Sequence, residues 1–124
     1  MKILITDVIK DSGLIEKKVF GKKYFVTICN AKKKSDISDS LLSSANGILA
    51  FDTLNFDKKF LKKLKKCKVL VRVGAGYDNI DLKSAKNMGI VVCNVPDYGV
   101  DEVADYAISS ILFTNRNFLS YFES

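Results

Sequence analysis

Short apolar segments alternate with helical segments along this chain, and that alternation limits the folds open to it. The strand-like segments are residues 2–8, 23–30, 47–51, 68–73 and 90–95. Helical patterns are predicted at 11–20, 39–45, 57–66, 81–88 and from residue 100 onward. Strands joined through helices pair in parallel with right-handed crossovers. The sequence therefore predicts an α/β fold with a flavodoxin-like parallel five-stranded sheet, order 2-1-3-4-5, and helices on both faces.

The last helix has the clearest periodicity in the chain. Its apolar residues keep helical spacing over three turns: Val100, Val103, Ala104, Ala107, Ile108, Ile111 and Leu112. Asp101 and Glu102 lie in its first turn, where negative charge complements the helix dipole. Its far end is also markedly apolar, through Phe113, Phe118, Leu119, Tyr121 and Phe122. If that end lacks cover, we expect self-association or a frayed end.

The net charge of +6 raises the question of a nucleic-acid partner. The basic residues are almost all lysine, with only Arg72 and Arg116 as arginines, whereas sequence-reading proteins favour arginine. The densest run, residues 56–68, places Phe56, Phe60, Leu64 and Cys67 on one face if it is helical. We therefore interpret the run as a core-facing helix with a solvated lysine surface, and expect no nucleic-acid partner.

The cysteines and the remaining composition predict neither a metal site nor a membrane segment. Cys29, Cys67 and Cys93 are far apart, and the chain contains no histidine to complete a zinc site. All three are expected to be small buried hydrophobes. No apolar run approaches the roughly 18 residues of a membrane span, and no signal peptide is recognisable, so a cytoplasmic location is expected.

A glycine turn, VRVGAGYDNID, follows the fourth strand. It differs from the dinucleotide fingerprint G-x-G-x-x-G, because Gly74 and Gly76 take the first two places but Asn79 takes the third. The fingerprint also requires an acid at the end of the next strand, where Asn94 stands. The turn is therefore not expected to be a dinucleotide site.

The same turn could bind a smaller anion. Successive backbone N–H groups near Gly74, Ala75 and Gly76 would form a concavity suited to a carboxylate, and Arg72 would add positive charge. A tight turn that needs glycine for positive φ and binds nothing is the alternative.

Three motifs together resemble the D-isomer-specific 2-hydroxyacid dehydrogenases. They are R-x-G-x-G-x-D-N-I-D from Arg72, A-x-x-x-G-I-x-V-x-N-V-P from Ala85, and V-A-D from Val103. The resemblance is strong over residues 67–116, and the motif residues are most similar to those of the branch of the C-terminal-binding-protein corepressors. It implies that residues 1–99 form a substrate-binding domain and that residues 100–124 begin an interdomain crossover helix.

The resemblance also implies an activity and site residues. The family's enzymes interconvert 2-hydroxy and 2-oxo acids with NAD, so a small acid of this kind is the expected ligand. Arg72, Gly74, Ala75 and Gly76 are the implied substrate contacts, and Ala75 and Val103 the implied cofactor contacts. Asp78 and Asn79 are expected to hold the turn, and Asp81 and Asp105 are as consistent with structural as with functional roles.

The sequence departs from the family pattern beyond the crossover helix. By this resemblance, the family's catalytic residues, including its histidine, lie on an NAD-binding Rossmann domain, which we expect to be absent from this chain, so no catalytic residue is assigned. We expect the isolated chain to be inactive, with a second copy or a complementary NAD-binding chain as a partner. The alternative is a non-catalytic module that binds a small carboxylate or another protein.

Overall fold

A computed structural model describes residues 1–10 and 12–122, apart from the side chain of Phe122. Asp11 of the first predicted helix, the end of the chain and the side chain of Phe122 therefore lie outside the described part. Five parallel strands form one sheet in the order β2-β1-β3-β4-β5. The strands are Lys2–Asp7 (β1), Phe25–Ala31 (β2), Gly47–Ala50 (β3), Val69–Arg72 (β4) and Val91–Cys93 (β5). The predicted strand order is confirmed.

Six α-helices accompany the sheet in the part of the chain that the structure describes. They are Leu14–Phe20 (α1), Asp39–Ser44 (α2), Lys58–Leu61 (α3), Leu82–Asn87 (α4), Val100–Asn115 (α5) and Phe118–Phe122 (α6). The N-cap predicted for α4 is confirmed, because Asp81 Oδ1 accepts a hydrogen bond from the Ser84 amide at 2.9 Å. Gly89 follows that helix at φ 68°, the left-handed conformation expected of the residue after a C-cap.

One face of the sheet carries the core. Leu4, Ile48, Leu70 and Val92 stand side by side across four strands. They belong to or pack against a single buried cluster that includes Leu42 of α2, Phe60 of α3 and Ala85 of α4. These three helices are short, and packing of this kind is what holds helices of such length in place.

The opposite face is covered less completely toward β5. Ile5 pairs in register with Leu49, Leu49 with Val71, and Val71 with Cys93. Ile5 is fully buried, Leu49 and Val71 are partly buried, and Cys93 is exposed. Cover on this face therefore fades from the middle of the sheet to its β5 edge.

In the lysine-rich segment the predicted helix is too long. The sequence predicts a helix over 57–66, but α3 ends at Leu61, and the amides of Lys63 and Leu64 then donate to carbonyls only three residues earlier. Repulsion among closely spaced lysines opposes a longer helix. Phe56 precedes the helix and instead forms a bridge with Ile80, although its side chain is fully buried as expected.

The cysteines correct a second prediction. Cys67 is buried, and its burial raises the pKa of its thiol to about 11. Cys29 is only partly buried, and Cys93 is exposed because it lies on the poorly covered face of β5. The expectation of three buried thiols is therefore wrong for Cys93.

The last two helices stand away from the rest of the molecule. Every described side chain from Val100 to Tyr121 is exposed. Phe113 of α5 and Phe118 of α6 stack on each other with ring centroids 5.6 Å apart. None of the described helices has the length and apolar character to cross a membrane.

Candidate functional site at the carboxyl edge of the sheet

The turn after β4 is fixed at its start by backbone hydrogen bonds. The Val73 amide donates to the Ala50 carbonyl at 2.8 Å, and the Gly74 amide donates to the Arg72 carbonyl at 2.9 Å. The Gly74 carbonyl accepts from the Val95 amide at 3.0 Å. The turn is thus tied to the ends of both neighbouring strands.

The next two amides are open. Among the described residues, nothing accepts a hydrogen bond from the N–H of Ala75 or of Gly76, and both residues are exposed. Because both residues are exposed, water can accept from these N–H groups, and a ligand that reaches the strand's carboxyl end can replace that water. The amide of Gly74, which the sequence placed in the same group, already donates within the turn and is not available.

Gly74 lies directly under the side chain of Arg72. A Cβ built on Gly74 would overlap Nη1 of Arg72, so the guanidinium in its present position occupies the space that a side chain would need. Gly74 also has φ 155°, a conformation that side chains disfavour. The glycine therefore lets the arginine fold across the start of the turn.

Arg72 is not fully satisfied by the protein. Its Nη1 donates to the Val73 carbonyl at 3.2 Å. Its Nε is buried and has no hydrogen-bond partner among the described residues. An unpaired buried donor on a permanent cation costs free energy unless an anion or another acceptor meets it.

Asn79 holds the far end of the turn. Its Nδ2 donates to the carbonyls of Phe51 and Leu54, at 3.0 and 2.8 Å. The expectation that Asn79 holds the turn is therefore confirmed, and its bonds reach the loop after β3. Asp78 is exposed and makes no side-chain hydrogen bond to a described residue, so the same expectation is wrong for Asp78.

Asp7, which the sequence did not single out, organises that neighbouring loop. Its buried carboxylate accepts from the amides of Phe51, Thr53 and Leu54 at 3.1, 2.9 and 3.4 Å. The Thr6 hydroxyl adds a hydrogen bond of 2.6 Å. The pKa of the Cys29 thiol is raised, first by burial and then by the charge of Asp7. The sequence feature that could have singled out Asp7 is an acidic residue at the end of an apolar strand.

An apolar cleft of about 440 Å³ lies between the turn and the start of α5. Its lining includes Ala75 of the turn and Val103 of the helix, together with Pro96, Tyr98, Val100 and Ala107. The structure thus brings the sequence-predicted residues to one place, with Arg72, Gly74, Ala75 and Gly76 on the turn and Val103 across the cleft. Asp81 instead caps α4, and Asp105 lies exposed on α5.

The geometry defines a class of protein. It is a flavodoxin-like α/β domain with an open pair of amides, an incompletely paired arginine and an apolar cleft at the carboxyl edge of its sheet. In sheets of this type, ligands bind at that edge.

Comparison with known proteins narrows the class to a family. Residues 3–121 match the catalytic domain of the D-isomer specific 2-hydroxyacid dehydrogenases. The chain is 39% identical over 87 residues to C-terminal-binding protein 1 of Caenorhabditis elegans, covering 70% of this chain and 12% of that protein. It is 27% identical over 117 residues to D-3-phosphoglycerate dehydrogenase of Methanocaldococcus jannaschii, covering 94% of this chain and 22% of that protein.

A solved structure agrees with the sequence comparisons. The NAD⁺-bound 3-phosphoglycerate dehydrogenase of Entamoeba histolytica superposes with a TM-score of 0.77 at 30% identity, over 91% of this chain and 38% of that one. This chain belongs to the D-isomer specific 2-hydroxyacid dehydrogenase family, whose members are NAD-linked oxidoreductases. It spans well under half the length of each of these relatives.

Proposed function

We propose that residues 1–99 form the substrate-binding domain of an NAD-dependent oxidoreductase that acts on the CH–OH group of D-2-hydroxy acids. Residues 100–124 would then begin the connection from this domain to a cofactor domain, starting with α5. The free amides of Ala75 and Gly76 carry this proposal, because they offer two hydrogen-bond donors to one carboxylate.

Arg72 would supply the charge for the same ligand. Its guanidinium lies at the start of the turn, and its buried Nε has no partner among the described residues. Hydrogen bonds from an arginine to a carboxylate are about twice as strong as neutral ones. Two neutral amides alone would bind a small anion weakly, whereas the added cation favours the ionised acid.

NAD fits this chain only in part. The apolar cleft beside Ala75 and Val103 offers a surface for one face of a nicotinamide ring, and bound NAD would supply the hydride acceptor there. The turn has no third glycine and is not followed directly by a helix, so it does not fit a pyrophosphate. We infer that the larger part of the cofactor contacts a separate domain.

The isolated chain is expected to bind the acid without turning it over. Interconversion of 2-hydroxy and 2-oxo acids moves a proton to or from the substrate oxygen: a base takes it during oxidation, and the protonated form gives it during reduction. A histidine has a pKa suited to both, and this sequence contains no histidine. With pyruvate as the probe, the 124-residue chain should therefore not oxidise NADH. Steady NADH oxidation would contradict this part of the proposal.

Titration of the ¹⁵N-labelled chain with pyruvate tests the binding site. The largest amide shifts are expected at Ala75 and Gly76. The Arg72→Met variant should bind pyruvate at least about tenfold more weakly, because a charge-assisted hydrogen bond is lost. Arg116→Met is the matched control, since Arg116 is the other arginine of the chain and should leave affinity unchanged. Amide shifts confined to the lysine-rich segment would contradict the proposed carboxylate site. Equal losses of pyruvate affinity in Arg72→Met and Arg116→Met would contradict it as well.

The exposed α5 favours a second candidate, a non-catalytic interaction module. Val103, Tyr106 and Ile111 are 70%, 78% and 59% exposed, which is unusual for so apolar a helix. Such a helix would pair with a second copy or with a complementary NAD-binding chain. Pyruvate binding that persists while NADH oxidation stays absent, even after mixing with an NAD-binding domain of the family, would favour the module over the enzyme.

A further inference from the structure

The peptide unit between Ala75 and Gly76 is held from one side only. The Asn94 side chain donates from Nδ2 to the Ala75 carbonyl at 2.8 Å. The two residues are 19 positions apart, and Asn94 directly follows β5. Asn94 itself is partly buried, and this is the hydrogen bond that its side chain makes among the described residues.

That bond determines where the Gly76 amide points. The peptide unit is planar and trans, so its C=O and N–H groups point in opposite directions. The Ala75 carbonyl and the Gly76 N–H belong to the same unit. A donor that holds the carbonyl toward the end of β5 therefore turns the Gly76 N–H away from β5, where no described residue accepts it.

The peptide unit between Gly74 and Ala75 is oriented in the same way, but by a backbone donor. The Gly74 carbonyl accepts from the backbone amide of Val95, so the Ala75 N–H of that unit also points away from β5. Two consecutive residues, Asn94 and Val95, therefore orient the two amides of the candidate carboxylate site. Val95 does so through its backbone N–H, whereas Asn94 does so through its side chain.

We propose that Asn94 is a positioning residue that aims the Gly76 N–H at the ligand by holding the Ala75 carbonyl; this rests on the proposed carboxylate site. The amide group suits this role because it donates without carrying charge. An ionised aspartate at the same position could only accept, so it would repel the carbonyl and also the anionic ligand. The hydrogen bond also polarises the peptide unit and strengthens the N–H as a donor.

Residual dipolar couplings of the ligand-free chain test the aim directly, because they report the orientation of each N–H vector. In Asn94→Ala, the Gly76 coupling should differ from wild type. The Ala75 coupling should not, because the Val95 amide still holds the Gly74 carbonyl. Asn46→Ala is the matched control: Asn46 Oδ1 accepts from the Lys2 amide at 2.9 Å at the other end of the sheet. It should leave both couplings unchanged.

A pyruvate titration gives the second measurement. Asn94→Ala should weaken pyruvate binding by about fivefold, and Asn94→Asp at neutral pH should weaken it further, because it adds a negative charge. Asn94→Ser, which keeps a short donor, should recover part of the affinity. Asn46→Ala should bind as wild type does.

The outcomes separate this proposal from the proposed function. An unchanged Gly76 coupling in Asn94→Ala would overturn the positioning role, even if affinity falls, because Asn94 would then act by direct contact. Coupling changes spread equally over β5 would overturn it as well, since Asn94 would be a general structural residue. If wild type does not respond to pyruvate, the proposed function fails, and the couplings still decide whether Asn94 orients the peptide unit.

Discussion

The sheet with its three core helices and the long helix α5 are made of similar residues but bury them very differently. Phe56 and Phe60 are 0% and 2% exposed, while Tyr106 and Val103 of α5 are 78% and 70% exposed. The apolar periodicity of α5 predicted its helical structure correctly. It did not reveal what covers the helix, because periodicity specifies an apolar stripe and not the surface that packs on it.

This contrast places the candidate site at a boundary between the two regions. The turn at residues 74–76 belongs to the well-packed sheet, whereas Val103 across the cleft belongs to the exposed helix. One wall of the site is therefore tied to the sheet by backbone hydrogen bonds, and the other is an exposed helix. Mutagenesis, self-association and thiol labelling can each test this contrast between packed and exposed regions. The expected effects decrease in that order.

Truncation of a core aromatic should have the largest effect. Phe56→Ala removes a fully buried ring that also contacts Phe60 edge-on, with centroids 5.2 Å apart. We expect a loss of about 4 kcal/mol in the free energy of unfolding, measured by urea denaturation. Tyr106→Ala on α5 should change it by less than about 0.5 kcal/mol. Equal losses would show that α5 is packed in solution and would remove the contrast.

Asp7 should come next. Asp7→Asn replaces a buried carboxylate that accepts from three backbone amides, and places an NH₂ group against those donors. The expected loss is about 2 kcal/mol, with increased amide exchange at residues 51–54. Asp105→Asn on the exposed helix is the control and should have almost no effect. A neutral result for Asp7→Asn would mean that the loop is held by its other contacts.

Association through the exposed helix should be measurable but weaker. Light scattering should show that the chain self-associates as its concentration rises, and Ile111→Lys should reduce this, because the charge opposes apolar contact. Val19→Lys on α1 is the control, since Val19 is also exposed, at 77%. A monomer at all concentrations, with strongly protected amides throughout α5, would contradict the prediction.

Thiol labelling should show the smallest contrast. Cys93 is exposed and should react with iodoacetamide readily near pH 8, whereas Cys67 should stay unlabelled in the folded chain. The thiolate is the reactive form, and a pKa of about 11 keeps Cys67 protonated until the pH approaches that value. Mass spectrometry of the labelled peptides measures the order. Equal labelling of the two residues at pH 8 would contradict the burial of Cys67.

The sequence predicted the strand order because the alternation of strands and helices leaves few topologies for a parallel sheet. It predicted the cap of α4 at Asp81 because that motif is local. It predicted a helix longer than α3 over the lysine-rich segment because the prediction used only the spacing of the apolar residues. That spacing carries no information about repulsion among the lysines between them. In the structure the helix ends at Leu61, and the bridge between Phe56 and Ile80 places Phe56 outside it, before the N-cap.

The features of the site that the sequence missed involve long-range hydrogen bonds. Asp7 meets amides 44 to 47 residues away, and Asn94 meets a carbonyl 19 residues away. No periodicity reports such contacts. The sequence also placed the Gly74 amide among the free donors, although it donates to Arg72 two residues back. The turn was therefore located correctly, but its two open amides could be assigned only from the fold.

A crystal structure of the chain soaked with pyruvate would test the carboxylate site most directly. We expect one carboxylate at the turn after β4, with an oxygen about 3 Å from the amide nitrogens of Ala75 and Gly76 and the Arg72 guanidinium beside it. A turn in which those two amides donate to protein carbonyls, with pyruvate bound elsewhere or not at all, would contradict it.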